Sequence, residues 1–246
     1  MTILVACQFK LKPADENRDS LTVVVQRYDR LESRYLMTGD YSALQQMSTD
    51  YPIETRTLIE DMLQLGEVND VAINARLLNY FQDTTLQAII AEAEMQYAVM
   101  DDINAALSRA FRNLRLWIPG LPIPEIYAQI GALNQSIVVG EDKVGISLDK
   151  YLGSGYAAYQ QFYDDFQTQT MKRQYIVPDC LVFYLLSQFP LTGTQQGRDM
   201  HMGRVMWVVN RALEKPFFKS EDVANAARYM KLHPNISMAD FLSEKQ

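Results

Sequence analysis

Few residues in this chain could do covalent or metal chemistry, and their positions limit what that chemistry is. There are two cysteines, Cys7 and Cys180, and two histidines, His201 and His233, in 246 residues. That number cannot make a disulfide scaffold or a four-cysteine zinc site, and it leaves little room for histidine-based metal chemistry. Cys7 ends the run Leu4-Val5-Ala6-Cys7, which has the form of a bacterial lipobox. In that chemistry the thiol takes a diacylglyceryl group, and cleavage just before it frees an amine for a further acyl chain. Five apolar residues and no Lys or Arg precede Cys7. A secretory signal has a basic start and roughly 7–15 apolar residues, so the expectation is a start codon upstream and a mature protein beginning at Cys7. Cys180 adjoins Leu181 and Val182 on an apolar stretch and reads as a small core residue. Ser154 in Gly153-Ser154-Gly155 lacks the strand–turn–helix setting of a nucleophile elbow and reads as a turn residue. Asp179 follows Pro178 at an expected helix start, where a carboxylate complements the helix dipole. It is either a helix-end residue or one partner of an ion pair with Arg173, Lys150 or Arg204. His201 is either a partly buried polar residue or a ligand contact.

Composition removes further classes. Apolar residues make up 48% and charged residues 22%, a globular mix. Twenty-three Lys and Arg against 30 Asp and Glu give a formal charge of -7, which argues against a generic nucleic-acid binder. No run reaches the roughly 18–20 apolar residues that span a bilayer, and no Asp-rich loop has the EF-hand form. No cofactor is expected.

The elements that must position these residues follow from periodicity. Residues 1–19 read as a lipobox remnant and a polar tether, and 20–246 as one domain. Residues 20–118 read as a helical half. Ser20 is expected to cap a helix with Val24, Tyr28, Leu31 and Tyr35 on one face. Thr38-Gly39-Asp40 stops it and caps the next. Tyr51-Pro52 restarts the chain, Leu65-Gly66 ends that segment, and Asn69 or Asp70 caps another helix. Trp117-Ile118-Pro119-Gly120 closes the half. From Ile126 the period becomes two, and 122–152 reads as a small, mostly antiparallel sheet built of hairpins, with a turn at Gly140-Glu141-Asp142-Lys143. Helical spacing returns over 156–242, through Val177–Phe189, Arg198–Leu213 and Ser220–Met230, and Ser237 with Asp240 reads as a capping box for a last short helix. The expected class is α+β, predominantly helical.

Several segments together resemble the GldB family of gliding-motility lipoproteins. They are Arg27-Tyr28-Asp29-Arg30-Leu31, Tyr51-Pro52, Leu65-Gly66, the stretch from Val144 to Gly153, Tyr175-Ile176-Val177-Pro178-Asp179, and Met202-Gly203-Arg204. The resemblance implies a zincin-like outline of a helical half, a small sheet and metal-bearing helices after it. A zincin needs His-Glu-x-x-His on a helix, so that two imidazoles one turn apart face the metal. The helix in that place, Val177–Phe189, has neither His nor Glu, and the next ligand position is Met202. The implied metal site is lost, leaving a vestigial cleft whose candidate residues are Tyr151, Tyr175, Asp179, His201 and Arg204.

The expected function is therefore a non-catalytic, lipid-anchored cell-envelope protein, facing the periplasm or outer membrane. It would act through protein partners in motility, secretion or a related envelope process, with Cys7 as its membrane attachment and no nucleic-acid partner. The alternative is a module that binds a small ligand or peptide in the vestigial cleft. A hydrolase of unrecognised type would need a nucleophile and a base in hydrogen-bond reach.

Overall fold

The computed structural model describes residues 21–191 and 193–243; Cys7, the tether and the expected cap Ser20 lie outside them. The first described segment is not helical. Val23 and Val25 are buried and Val24 is exposed, a two-residue alternation in a β-branched run. Its backbone is held from two sides. The Val23 N–H donates to Ser108 Oγ at 2.8 Å and the Val25 N–H to Asn104 Oδ1 at 3.0 Å. The Gln26 N–H donates to the Ile126 carbonyl at 2.8 Å, and the Ala128 N–H to the Gln26 carbonyl at 2.9 Å. A helix from Ser20 would forfeit these bonds, so α1 begins only at Tyr28 (Tyr28–Thr38).

From there most local signals act as expected. Gly39, at φ 70°, closes α1 in the left-handed region, and Asp40 caps α2 (Tyr41–Asp50) by accepting the Ser42 N–H. Pro52 opens α3 (Pro52–Arg56), which runs on into a π-helical turn (Thr57–Met62). The expected cap at Asn69 or Asp70 is displaced: Asp70 accepts the Ala72 N–H in the turn before α4 (Ile73–Tyr80), whose N-cap is Ala72 with no side-chain bond, while Asp83 caps α5 (Thr84–Gln96). The long helix α6 (Asp101–Trp117) buries Ile103, Leu107, Ala110, Phe111 and Leu114, the apolar stripe of its sequence.

Three strands follow: β1 (Glu125–Gln129), β2 (Ile137–Val139) and β3 (Lys143–Ser147), in the order β1-β3-β2. The expected β2–β3 hairpin is there, antiparallel over three pairs, but β1 runs parallel to β3 over five, from Glu125 opposite Lys143 to Gln129 opposite Ser147. The sheet is mixed, and its longer pairing is parallel, which corrects the mostly antiparallel expectation. Alternation reports which face a residue takes; it says nothing about the direction of the neighbouring strand. The register has its own signature. Tyr127 lies opposite Gly145, and a Cβ added there would come within 2.6 Å of the tyrosine ring. Only a residue without a side chain lets the ring lie across the central strand.

After β3 come a 3-10 turn (Leu148–Tyr151), a second one (Ala157–Gln161), the short α7 (Asp165–Thr168) and a third 3-10 turn (Arg173–Tyr175). Then follow α8 (Ile176–Gln188), α9 (Gln195–Ala212), α10 (Glu221–Leu232) and α11 (Met238–Ser243). α9 and α10 approach so closely that a Cβ on Gly203 would lie 2.5 Å from Asp222 Cβ. Before α11 the Asp240 N–H donates to Ser237 Oγ at 3.0 Å, the first bond of the expected capping box, and the Ser237 hydroxyl in turn donates to Asp240 Oδ2 at 2.7 Å. Buried apolar side chains from Val23 to Leu242 form one contiguous core. The fold is α+β and predominantly helical.

Candidate functional site

The 3-10 turn after β3 carries Tyr151 inward, and its hydroxyl donates to Asp179 Oδ2 at 2.9 Å in the first turn of α8. Burial pushes the Asp179 carboxyl up to about 7, and the Tyr151 hydrogen bond offsets part of that. Burial, and then the Asp179 carboxyl beside it, hold the Tyr151 phenol well above its ordinary range. Beside them Cys180 is fully buried, and its thiol is pushed up to about 12, far from the thiolate a nucleophile needs.

The expected ion pair at Asp179 is not formed: among the described residues no Lys or Arg nitrogen comes within 4.0 Å of its carboxylate. Each candidate is committed elsewhere. Arg173 reaches the other way, to the acidic start of α6, with Nη2 to Asp102 Oδ1 at 2.6 Å and Nη2 to the Val99 carbonyl at 2.9 Å. Lys150 donates to the Tyr163 hydroxyl at 2.7 Å. Arg204 donates to the Phe241 carbonyl at 3.2 Å and lies over the Tyr229 and Phe241 rings, tying α9 to α11.

Of the five cleft candidates, then, only Tyr151 and Asp179 meet. The Tyr175 ring packs edge-on against Phe217, with centroids 4.8 Å apart. His201 is partly buried, and its Nε2 lies 2.8 Å from the Phe189 carbonyl just beyond the end of α8. Ten residues of helix separate Asp179 from that point, about 15 Å at 1.5 Å per residue, so the imidazole is no base for this carboxyl.

Sequence reading missed a second polar cluster, at the carboxyl ends of β1 and β3. The loop after β1 places two non-glycine residues, Ala132 (φ 50°) and Leu133 (φ 62°), in the left-handed region. Two fully buried carboxylates hold it there. Glu32 Oε2 accepts the Ile130 N–H at 2.7 Å, and Asp149 accepts the N–H groups of Gly131 at 2.8 Å and Leu133 at 2.5 Å. Burial raises both carboxyls above the ordinary range, while these backbone donors act to lower them. Gln129 Nε2 faces Ser147 Oγ at 3.2 Å and Met62 Sδ at 3.0 Å, and the remaining oxygens, Glu32 Oε1 and Gln129 Oε1, have no hydrogen-bond partner among the described residues. The signal lay in α1: Glu32 falls one turn after Tyr28 and three residues before Tyr35, on the buried face itself. Among the described residues no three His, Cys, Asp or Glu side chains converge in a way that could hold a metal ion.

Two solvent-open grooves lie apart from both clusters. One, of about 910 Å³, runs between the end of α6, α9 and α10, with Trp117, Trp207, Phe218 and Val223 among its walls. The other, of about 550 Å³, lies between the start of α6, the start of α8 and the 213–217 turn, and Lys215 lines both.

Comparison with protein families matches residues 10–215 to the family described as gliding motility protein GldB. No curated protein and no solved structure matches the chain. The matched span contains the segments whose roles are now visible. Tyr28 and Asp29 are buried in α1, Asp149 holds the loop after β1, Asp179 accepts from Tyr151, and Gly203 admits α10. Because the match covers most of its length, the chain belongs to the GldB family of gliding motility proteins.

Proposed function

We infer that this protein is a non-catalytic lipoprotein of the cell envelope, acylated on Cys7, which acts through contacts with other envelope proteins in gliding motility or secretion linked to it. Family membership supplies the biological setting. The observation that carries the non-catalytic part is the use made of the perturbed carboxyls. Glu32 and Asp149 are occupied by the backbone of the 130–133 loop, and Asp179 by a tyrosine. None of the three has a Ser, Thr, Cys or His side chain in hydrogen-bond reach among the described residues, so none serves as the base that activates a hydroxyl or thiol nucleophile. A helical half, a small sheet and further helices support a zincin-like outline, one in which Val177–Phe189 carries neither the His nor the Glu of a zincin helix.

Complementation tests this reading. In cells lacking the gene, surface spreading should return with the wild type and equally with Asp179→Asn, Cys180→Ala and His201→Ala. A variant that is folded, present at wild-type level and unable to restore spreading would turn the argument toward catalysis. A second reading, ligand capture beside Tyr151, draws support from the Asp179 carboxyl, which stays protonated to near neutrality and can both donate and accept.

A further inference from the structure

We propose that the two grooves joined at Lys215 form one docking channel for an extended acidic peptide segment of a partner protein, bearing at least one large apolar side chain. This rests on reading the protein as one that works through protein contacts, and it names the chemistry of the contact.

Charge is the first argument. The walls of the two grooves carry Lys172, Arg173, Arg211, Lys215 and Lys219 against only Asp102 and Glu214. Asp102 is already paired with Arg173. Lys172, Arg211, Lys215 and Lys219 form no ion pair with any described carboxylate, so no carboxylate at contact range offsets their charge. A strip of unpaired cations on a chain of formal charge -7 is a local reversal of sign, and it attracts an acidic partner.

The floor is the second argument. Trp117, Trp207, Phe217 and Phe218 are half-buried, with Ile103 and Val177 continuing the apolar surface. Trp and Arg are among the residues that dominate binding energy at protein interfaces. This floor is held in place before any partner arrives. Asn210 donates to the Phe218 carbonyl and accepts the Phe218 N–H, both at 2.8 Å, and its own carbonyl accepts the Lys215 N–H at 3.1 Å. Asn113 donates to the Ala212 carbonyl at 3.0 Å. A fixed turn spares a partner part of the ordering entropy.

Shape favours a peptide over a lipid headgroup. The cations are divided between two concavities of about 910 and 550 Å³, a site longer than one phosphate needs and suited to an extended segment. The family match ends at Lys215, so Trp117, Trp207 and Arg211 lie inside it while Phe217, Phe218 and Val223 lie beyond. The wall that completes the channel is outside the matched span.

The test is selection of random displayed dodecapeptides on the immobilised full chain, followed by affinity measurement with synthetic copies. Enriched peptides should carry net negative charge and an aromatic or aliphatic residue. Their affinity should fall about tenfold or more in Arg211→Glu/Lys215→Glu and weaken as salt rises. Arg109→Glu/Lys231→Glu, which makes the same change of charge at exposed positions outside the channel, should bind as the wild type does. Arg211 and Lys215 are exposed; should their double variant not fold, Lys172→Glu/Lys219→Glu serves in its place. The proposal is overturned if no peptide is enriched, if those enriched show no acidic bias, or if the channel variants bind them unchanged. Phosphatidylglycerol vesicles bound through Arg211 and Lys215, with no peptide enriched, would assign the strip to a membrane and overturn it too. None of these outcomes touches the spreading assay, so a failed channel leaves the broader functional reading to its own test.

Discussion

Replacing Asp179 with Asn should stabilise the protein, and more so as pH rises. The folded chain holds the Asp179 proton to about pH 7, whereas an unfolded Asp releases it near 3.9. The folded-state value is raised, so the contribution of this group is whole below about pH 4, falls as pH climbs through the folded value, and is constant above it. A shift of about three pH units is worth roughly 4 kcal/mol in full, of which linkage places about 2.5 kcal/mol between pH 5 and pH 8. The carboxyl is only part-buried, and solvent screening brings this to about 1.5–2 kcal/mol. Asp179→Asn is neutral throughout and keeps an acceptor for the Tyr151 hydroxyl. Urea unfolding of both proteins, followed by circular dichroism at pH 5 and pH 8, gives the two stability gaps. Glu32 and Asp149 also carry raised values, but they titrate in both proteins and cancel in the gap. The variant's advantage should grow by about 1.5–2 kcal/mol from pH 5 to pH 8. A gap that is independent of pH, or that shrinks, refutes the assignment of a neutral buried carboxyl.

Other outcomes follow from single contacts. Asp149→Ala removes the acceptor of two buried N–H groups in a loop already held at positive φ, and should lower unfolding free energy in urea by about 3–5 kcal/mol. Gly203→Val would push a side chain into the Asp222 backbone and should cost about 1–3 kcal/mol, seen as a lower thermal midpoint. Ala132→Gly relieves a left-handed alanine at φ 50° and should raise stability by about 0.5–1 kcal/mol in the same assay. Cys7→Ala, expressed from the native gene, should move the protein from the membrane pellet to the soluble fraction, since two acyl chains hold stably where one binds marginally; unchanged pelleting with no acyl mass on the wild-type Cys7 would sink the anchor.

Much of the fold was legible in the sequence because its signals act over a few residues. Gly39 and Asp40, Pro52, and Ser237 with Asp240 end or open helices through contacts no more than four residues away. The stripe Ile103, Leu107, Phe111 and Leu114 marked one face of α6 without reference to anything outside it. Composition and Cys7 likewise pointed to a lipobox and away from nucleic acid with no structure needed.

Tertiary structure decided the rest, because those features depend on partners distant in the chain. The triple valine at 23–25 could have entered a helix; Ser108 and Asn104 on α6 and the edge of β1 made it extended. The parallel pairing of β1 with β3 required the chain to loop away through β2 and return, and Gly145 beneath Tyr127 fixed the register. Glu32 lies on the buried face of α1, but its donor, the Ile130 N–H, comes from a loop nearly a hundred residues on. Asp179 was recognisable as a helix-start carboxylate, yet its partner proved to be a tyrosine, because Arg173 and Lys150 had stronger claims elsewhere. Local sequence sets where elements begin and end; which side chains meet is set by how those elements pack, and the protonation of a buried carboxyl follows from that packing alone.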